Sequence, residues 1–489
     1  MTGAPGRADT RPDARPDARP RAAAALALVG AVTLWRVALL AGMRLDLFVD
    51  ESQYWLWSRT LDWGYYSKPP LIAWVIRVFT TVGGDGAFWI RLPGPLCHAV
   101  TALILGLLAR RLAGDRAAFW TAAAYVTTPF AAMGSVFLST DTVMAPFFAL
   151  ALLFWLRLTE TRLSRFALLA GAAAGLAFLA KYAAVYALLG MALAAAVPGF
   201  RIGWRNAGVL IASFLVIAAP NLIWNATHGF ATLNHTADNV AWVKDGATGG
   251  GLNPGGAAEF LAAQFLVFGP VLFAALLASV GTRRADLRVL ALMSLPIVLV
   301  VALQALLSRA YANWAVAAYF AGTLLAVLML LNRPALLRVS LALGLAVAVA
   351  LPLLPFFPGL AFGDRPLLHR YLGRAALSEA IIAQARFHGA ATVVAENRDV
   401  LADLFHTGRD SKLAFRALPP EGAPRSYYEQ VLPLAPGAPG LALAVLSTPP
   451  VCSGRTVSPA RRFETAGGAY AKLSLYAYVI DPDCLRPPG

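Results

Sequence analysis

Charged residues are scarce in this sequence. Asp, Glu, Lys and Arg make up only 14% of the 489 residues, whereas soluble domains contain about 25%. So few charges cannot cover the surface of the roughly three soluble domains that the length would allow. The 58% of hydrophobic residues also excludes a disordered chain. The composition therefore predicts a polytopic membrane protein.

Motifs of common soluble enzymes are also missing. The sequence contains no P-loop, dinucleotide-binding fingerprint or HExxH motif, and its three cysteines are not spaced as zinc ligands. Two of them, Cys452 and Cys484, lie in one polar C-terminal region, where a disulfide and two free thiols are equally good interpretations. Taken as a total, the net charge of +15 would suggest a nucleic-acid partner. Much of this charge lies in short loops between apolar segments, where it indicates membrane topology, so we expect no nucleic-acid partner.

Uncharged apolar runs of about the 20 residues that cross a bilayer recur along the chain. We predict about eleven transmembrane helices, of which the short fifth and sixth could also be one bent element. The first is too long for a cleavable signal peptide. The predicted spans are residues 22–43, 93–112, 117–136, 142–158, 166–180, 183–199, 207–226, 258–280, 289–308, 313–331 and 337–357.

The short loops that follow the even-numbered spans contain arginine. All of them lie on the same side as the N-terminal tail, residues 1–21, which is predicted to be disordered. The positive-inside rule makes this side cytoplasmic, and an odd number of spans places the C-terminus outside. The arginines concerned are Arg110, Arg111, Arg116, Arg162, Arg165, Arg201, Arg205, Arg283, Arg284, Arg288, Arg333 and Arg338.

Two domains follow from this organisation. Residues 22–357 are predicted to form the membrane domain, and residues 358–489 a small α/β domain on the outer side, where the protein meets the periplasm. In the outer domain we predict helices at 377–387 and 398–406 and strands at 391–396, 441–447 and 472–480.

The polar residues opposite the basic loops are costly to place near a membrane, which makes them candidates for function. Some have plain alternatives: Asp141 could cap a helix, Lys181 could be a snorkelling anchor, and His235 could be an ordinary loop residue. An amphipathic helix at 51–61 would place its aromatic side chains in an interfacial belt. The candidates are Asp50, Glu51, Tyr54, Tyr66, Lys68 and Arg91 in the first loop (44–92), then Asp141, Lys181, Tyr182, Asn225, His235 and Asn313.

The first-loop pattern Asp50-Glu51-Ser-Gln-Tyr, followed by Gly64-Tyr-Tyr-Ser-Lys68-Pro-Pro, resembles that of bacterial glycosyltransferases related to the protein O-mannosyltransferases and to the lipid A aminoarabinose transferase. The resemblance extends over about residues 22–357. It implies a GT-C fold in the bacterial inner membrane. It also implies transfer of a sugar from a polyprenyl-phosphate carrier to an envelope glycan or lipid, usually with inversion. Further motifs that contribute are Ser139-Thr140-Asp141, Lys181-Tyr182, Trp224-Asn225, Gly269-Pro270 and Asn313-Trp314.

The resemblance also implies roles for single residues. Asp50 would be the catalytic carboxylate that takes the acceptor proton, and Glu51 would position the loop or the acceptor. Lys68 would contact the donor phosphate and stabilise its charge as the carrier leaves, with further donor-phosphate contacts from Arg91, Lys181 and His235. The residues expected to line the cavity or contact the acceptor are Tyr54, Tyr66, Asp141, Tyr182, Asn225 and Asn313.

A divalent cation is the only cofactor that the resemblance raises. In the aminoarabinose enzyme a glutamate directly before the Lys-Pro-Pro helps to hold the metal, and His235 aligns loosely with a histidine that binds it. Ser67 occupies the place of that glutamate and is a poor metal ligand. We therefore expect at most weak, substrate-assisted metal binding, with Lys68 neutralising the phosphate together with Arg91 or Lys244.

Other interpretations stay open on the sequence alone. One is a protein O-glycosyltransferase with Ser or Thr hydroxyls as acceptors. Another is a transporter or lipid flippase, which would show broken helices in both halves of the chain, whereas one interrupted pair at 166–199 is evident. The glycine-rich loop 227–257 is either a mobile gate over the site or a plain flexible connection.

Overall fold

The protein has a helical part up to residue 356 and an α/β part after it, and the computed structural model describes residues 18–240, 252–363, 365–465 and 468–485. The α-helices are α1 (Ala18–Gly42), α2 (Val49–Arg59), α3 (Leu71–Gly83), α4 (Ala87–Arg91), α5 (Pro93–Val126), α6 (Pro129–Val136), α7 (Thr140–Thr161), α8 (Ser164–Ala180), α9 (Val185–Ala195), α10 (Trp204–Thr227), α11 (Ala231–Val240), α12 (Pro254–Val267), α13 (Pro270–Ala278), α14 (Ala285–Leu292), α15 (Leu295–Leu307), α16 (Ala318–Leu330), α17 (Pro334–Ala350), α18 (Arg374–Phe387), α19 (Arg398–Thr407) and α20 (Tyr427–Val431).

Apolar helices dominate the first part, as the composition predicts. Within the described residues, six helices are long and apolar enough to cross a membrane, or seven when one bent pair is counted as a single span. Each predicted span coincides with one of these or with the shorter apolar helices between them. The protein is therefore a multi-pass membrane protein.

Helix α5 is a hairpin of two helices. Ala113 and Gly114 leave the helical φ/ψ region, and Gly114 has φ +80°. A methyl group on Gly106 would lie 3.3 Å from the carbonyl oxygen of Ala118, whereas in one straight helix these two residues would be about 18 Å apart. The chain therefore reverses at Gly114, and the predicted spans at 93–112 and 117–136 pack against each other.

One predicted span is sharply bent. Residues 258–280 form α12 and α13, whose axes differ by 119°. Gly269 adopts φ +98° at the bend, and Pro270 begins the second helix. Glycine accepts this positive φ without strain, and proline cannot donate the hydrogen bond that would continue the first helix. Residues 258–280 are thus two helices rather than the single one expected.

Small residues bring α8 close to α10. A methyl group on Gly171 would lie 2.1 Å from the carbonyl oxygen of Leu210, and one on Gly175 would lie 2.7 Å from the Ile217 side chain. The two glycines are four residues apart, which is the small-xxx-small spacing that lets helix backbones touch in membranes. This contact sets the position of the segment that follows α8, which begins at Lys181.

A five-stranded sheet with the order β4-β3-β5-β9-β8 organises the second part. The first three of these strands are parallel, and β9 runs antiparallel to β5 and β8. Helices α18 and α19 cover one face, and the other face packs near Cys452 and Cys484, which are joined in a disulfide. The strands are β1 (Ala361–Phe362), β2 (Arg365–Pro366), β3 (Thr392–Ala395), β4 (Ala414–Ala417), β5 (Ala442–Leu446), β6 (Val451–Cys452), β7 (Arg455–Thr456), β8 (Arg461–Phe463) and β9 (Leu475–Ile480).

The α/β part is docked directly on α2. Val49 belongs to the same hydrophobic core as α18 and α19. The rings of Trp55 and His406 meet edge to face at 4.9 Å, and burial lowers the pKa of His406 to about 4, so this ring is neutral and its Nε2–H can donate to the carbonyl oxygen of Asp85, 2.9 Å away. Trp57 is fully buried. The expectation of an interfacial aromatic belt was therefore wrong, because these side chains pack between the two parts.

A buried ion pair determines how α2 sits in the first loop. Arg91 donates from Nε to Glu51 Oε1 at 2.9 Å and from Nη2 to Oε2 at 2.7 Å, and both side chains are almost fully shielded. Glu51 also accepts hydrogen bonds from the backbone N–H groups of Phe48 and Leu138, both at 3.0 Å. The pair thus joins the start of α2 to α4 and to the segment before α7.

We predict that Glu51→Ala destabilises the fold, because it leaves the Arg91 guanidinium buried without its counter-charge. Loss of one partner from a buried pair costs about 3–5 kcal/mol, which a thermal unfolding measurement on detergent-solubilised protein would show as a lowered Tm. The double variant Glu51→Leu/Arg91→Met should recover most of the loss. A Glu51→Ala protein with unchanged Tm and no activity would instead place Glu51 in the chemistry.

Candidate active site

A cavity of about 540 Å³ opens where the first loop meets the segments after α8 and α15. Its lining combines charged and polar side chains with apolar and aromatic ones. A phosphate group with an attached hydrocarbon tail needs both kinds of surface. The lining residues are Asp50, Ser67, Lys68, Pro69, Lys181, Tyr182, Ala183, Val185, Tyr186, Thr236, Val301, Tyr311, Asn313 and Trp314.

Asp50 projects from the first turn of α2 into this cavity. Its Oδ1 accepts a hydrogen bond of 2.6 Å from Nη2 of Arg398, the first residue of α19, and 43% of its side chain stays exposed. Burial lowers the pKa of Arg398, but the charge of Asp50 and its hydrogen bond outweigh burial and raise the pKa above the usual arginine value. Asp50 is thus an accessible carboxyl group held by a cation from the other domain.

Arg398 was not among the residues expected from the sequence. Its position is set by Asn397, whose side chain caps α19 by accepting from the N–H groups of Asp399 and Val400, and by Gln53, whose Oε1 accepts from Arg398 Nε at 3.0 Å. An asparagine cap followed by arginine is an ordinary helix start. Only the docking of α19 on α2 brings this arginine to the site.

Asp141 and Lys181 form a second charged pair in the cavity wall. Lys181 Nζ lies 2.8 and 2.7 Å from the two carboxylate oxygens of Asp141, and Asn313 Nδ2 donates to Oδ2 at 3.2 Å. Asp141 is buried and lies in the first turn of α7, whose cap is the hydroxyl of Ser139. The structure therefore brings together three predicted residues, and Asp141 is not itself the cap.

Lys68 faces the cavity between these two pairs. Within the described ranges its ammonium group has no hydrogen-bond or ion-pair partner. Burial lowers the pKa of Lys68 below the usual lysine value, the charge of Asp50 opposes this, and that of Lys181 adds to it. Asp50 is paired with Arg398 and Asp141 with Lys181, so among the described residues the positive charge of Lys68 is left without an ion-pair partner.

Tyr182 and Asn225 support the cavity from behind. The Tyr182 hydroxyl donates to Asn221 Oδ1 at 2.9 Å and accepts from Asn225 Nδ2 at 3.0 Å. Both asparagines are fully buried on α10. Tyr182 lines the cavity, whereas Asn225 is not in the lining and contacts Tyr182 instead.

Tyr54 and Tyr66 do not line the cavity themselves. Tyr54 is buried behind Asp50, where burial first and the Asp50 charge second raise its pKa well above the usual value. The Tyr66 hydroxyl donates to the Pro424 carbonyl oxygen at 3.2 Å, and its ring lies 5.2 Å from that of His235. Both tyrosines shape the surroundings of the cavity rather than its surface.

Glu51 and Arg91 are placed outside the cavity. Arg91 is fully buried, and besides Glu51 its guanidinium donates to the carbonyl oxygens of Leu45 and Asp46 at 3.0 and 2.8 Å. A guanidinium with these partners is not available to a phosphate in the cavity. The geometry therefore favours a structural role for this pair over the donor-phosphate contact expected of Arg91.

The side chains that the structure describes do not form a donor set for a divalent ion. Across the part of the chain that the structure describes, no group of three or more His, Cys, Asp or Glu side chains could hold a metal. His235 has an aromatic ring as its neighbour, and Ser67 lines the cavity where a carboxylate would be needed. Lys244 and the glycines of the expected gate, Gly246 and 249–251, lie outside the described residues.

Comparison with known proteins identifies the family. The family model for dolichyl-phosphate-mannose-protein mannosyltransferases matches residues 67–224. The lipid A galacturonosyltransferase RgtD of Rhizobium johnstonii is 42% identical over 473 residues, which cover 94% of this chain and 99% of RgtD.

The fold agrees with solved structures. ArnT from Cupriavidus metallidurans bound to undecaprenyl phosphate superposes with a TM-score of 0.62 at 15% identity, covering 94% of this chain and 99% of ArnT. ArnT in the apo state gives a TM-score of 0.57 over 94% of this chain and 98% of ArnT. The first-loop resemblance is confirmed: the chain belongs to the family of the lipid A galacturonosyltransferase RgtD and is a GT-C membrane glycosyltransferase.

Proposed function

We propose that the protein transfers a galacturonosyl residue from a polyprenyl-phosphate carrier to lipid A. Two relatives support this proposal: RgtD, named a lipid A galacturonosyltransferase, which aligns over nearly its whole length, and ArnT, which has the same fold and was crystallised with undecaprenyl phosphate. A transporter or flippase is not supported, because the family is one of glycosyltransferases.

The charge arrangement of the cavity is the observation that carries the proposal. Lys68 supplies an ammonium that forms no ion pair with the described residues, and it lies beside the exposed carboxylate of Asp50. Val185, Val301 and Trp314 offer an apolar wall for an isoprenoid tail. The phosphodiester group of the donor has one negative charge, which the ammonium of Lys68 can neutralise. Attraction between unit charges about 4 Å apart is worth roughly 4 kcal/mol at the effective dielectric near a protein surface.

The same groups can perform a single displacement. The acceptor hydroxyl attacks the anomeric carbon, Asp50 takes its proton, and the bond from that carbon to the phosphate oxygen breaks. The leaving polyprenyl phosphate gains a negative charge, which Lys68 stabilises. Asp141 stays bound to Lys181 and Asn313 and keeps the wall rigid. One displacement by one nucleophile inverts the configuration of the sugar.

We also propose that the cavity opens on the periplasmic side of the inner membrane. The arginine-rich short loops support this orientation. They follow the even-numbered predicted spans and mark the cytoplasmic face, whereas Asp50 follows the first span and therefore lies on the opposite side. The N-terminus is then cytoplasmic, and residues 358–489 form a periplasmic domain. A disulfide between Cys452 and Cys484 fits an oxidising compartment.

The function is tested with purified protein in nanodiscs, given polyprenyl-phosphate galacturonate and lipid A. The wild type should release polyprenyl phosphate and form galacturonosyl lipid A with inverted anomeric configuration, as read by NMR. Asp50→Asn should lower kcat by about 10²–10⁴, since the general base is lost, while the amide keeps a hydrogen bond to Arg398.

Asp62→Asn is the matched control, because that carboxylate lies in the same loop and accepts only from the adjacent Trp63 amide at 2.7 Å in the described structure. It should retain wild-type turnover. Transfer to a periplasmic protein but not to lipid A would replace the lipid acceptor with a protein one, and wild-type turnover in Asp50→Asn would remove Asp50 from the mechanism.

Lys68 should control the alkaline limb of the pH profile. The amine must be protonated to stabilise the leaving phosphate, and burial lowers its pKa. As the pH rises, kcat/KM should therefore fall at a pH below about 10.4, the usual pKa of lysine. Lys68→Arg should move this limb to higher pH, and Lys68→Met should cost about 10²–10³ in kcat. Lys472→Met, at an exposed position, is the control, and coincident alkaline limbs for wild type and Lys68→Arg would contradict the assignment.

The orientation is tested by labelling introduced cysteines with a membrane-impermeant maleimide. Lys472→Cys, in the α/β part, should react in intact spheroplasts. Arg284→Cys, in the short loop before α14, should react only after lysis. The reverse pattern would place the cavity on the cytoplasmic side.

A further inference from the structure

We propose that Arg398 recognises the carboxylate of the donor sugar and thereby selects a uronic acid. This inference rests on the proposed function, since it concerns how the same site reads the C6 group of a galacturonosyl donor. It assigns a specificity-determining residue that lies outside the membrane domain, on the first turn of α19.

Arg398 reaches the site through Asp50. Nη2 lies 2.6 Å from Asp50 Oδ1, and Nε lies 3.0 Å from Gln53 Oε1. Nη1 has no hydrogen-bond partner among the residues that the structure describes, and 38% of the side chain is exposed. A guanidinium presents a planar fork of donors that matches a carboxylate in a bidentate arrangement. Arg398 thus has both a free nitrogen and the geometry to bind a second carboxylate.

Charge matching singles out Arg398 among the cations. A polyprenyl-phosphate uronate has two negative groups, the phosphodiester and the C6 carboxylate. Lys68 is suited to the phosphate, and Lys181 is neutralised by both oxygens of Asp141. Arg91 is buried with Glu51. Apart from Lys68, Arg398 is the one of these four cations that keeps a nitrogen without a hydrogen-bond partner in the described structure and can pair with the sugar carboxylate.

The experiment compares two donors that differ at C6, polyprenyl-phosphate galacturonate and polyprenyl-phosphate galactose, in wild type and in Arg398→Gln. Arg398→Gln should lower kcat/KM for the uronate about 10- to 100-fold, the range for a hydrogen bond to a charged group, chiefly through KM. Its kcat/KM for the galactosyl donor should change less than about threefold. Arg398→Lys, which retains the charge without the fork, should lie between wild type and Arg398→Gln.

Arg409→Gln is the matched control, since this arginine lies just beyond the end of the same helix and contacts Asp410 and the His406 carbonyl oxygen. It should leave both donors unchanged. An equal fall for both donors in Arg398→Gln would overturn the inference and leave Arg398 as a positioning residue for Asp50. A wild type that transfers galactose in preference to galacturonate would overturn the proposed function instead, which separates the two failures.

Discussion

A charged side chain that is buried away from water needs a partner of opposite charge. At the start of α2, Glu51 and Arg91 provide this partner for each other. Four hydrogen bonds to Glu51 prevent the helix from turning about its axis. Successive residues of a helix point about 100° apart, so a fixed inward Glu51 leaves Asp50 directed sideways into the cavity. The position of the candidate base therefore follows from the burial of its neighbour.

The same requirement explains why the cavity contains pairs. Lys181 neutralises Asp141, and Arg398 neutralises Asp50. Each pair lowers the cost of burial, and each limits what its members can bind. Lys68 is the exception, because its ammonium lacks a counter-charge in the described structure although burial already lowers its pKa. An anion that enters the cavity removes this cost, which is a physical reason for the donor phosphate to bind there.

Much of this could be predicted from the sequence, where local pattern decides the outcome. The apolar runs predicted the helices, and the first-loop motif predicted Asp50 and Lys68 as site residues. The strands at 392–395 and 442–446 were expected, because both are entirely apolar or β-branched, whereas the short strands β4 (AFRA) and β8 (RRF) contain arginine and show no apolar run. The pairings of Asp141 with Asn313 and of Asp50 with Arg398 join residues 172 and 348 positions apart, and such contacts follow from tertiary packing alone. For Arg91 the sequence pointed to a different role. The resemblance implied a phosphate ligand, whereas burial of its side chain against Glu51 indicates a structural role.

The α/β part is therefore a component of the site. Asp46, between α1 and α2, accepts from the first two backbone N–H groups of α18 at 2.8 and 3.2 Å, and Val49 enters the core that α18 and α19 form. These contacts, together with the packing of Trp55 against His406, hold α18 and α19 against the start of α2. Because a charge partner beside the base comes from this second domain, a change in how that domain docks alters both the freedom of Asp50 and the group that can bind Arg398. In the proposed mechanism the membrane domain supplies the groups that perform the transfer, and the domain docked on it selects the sugar.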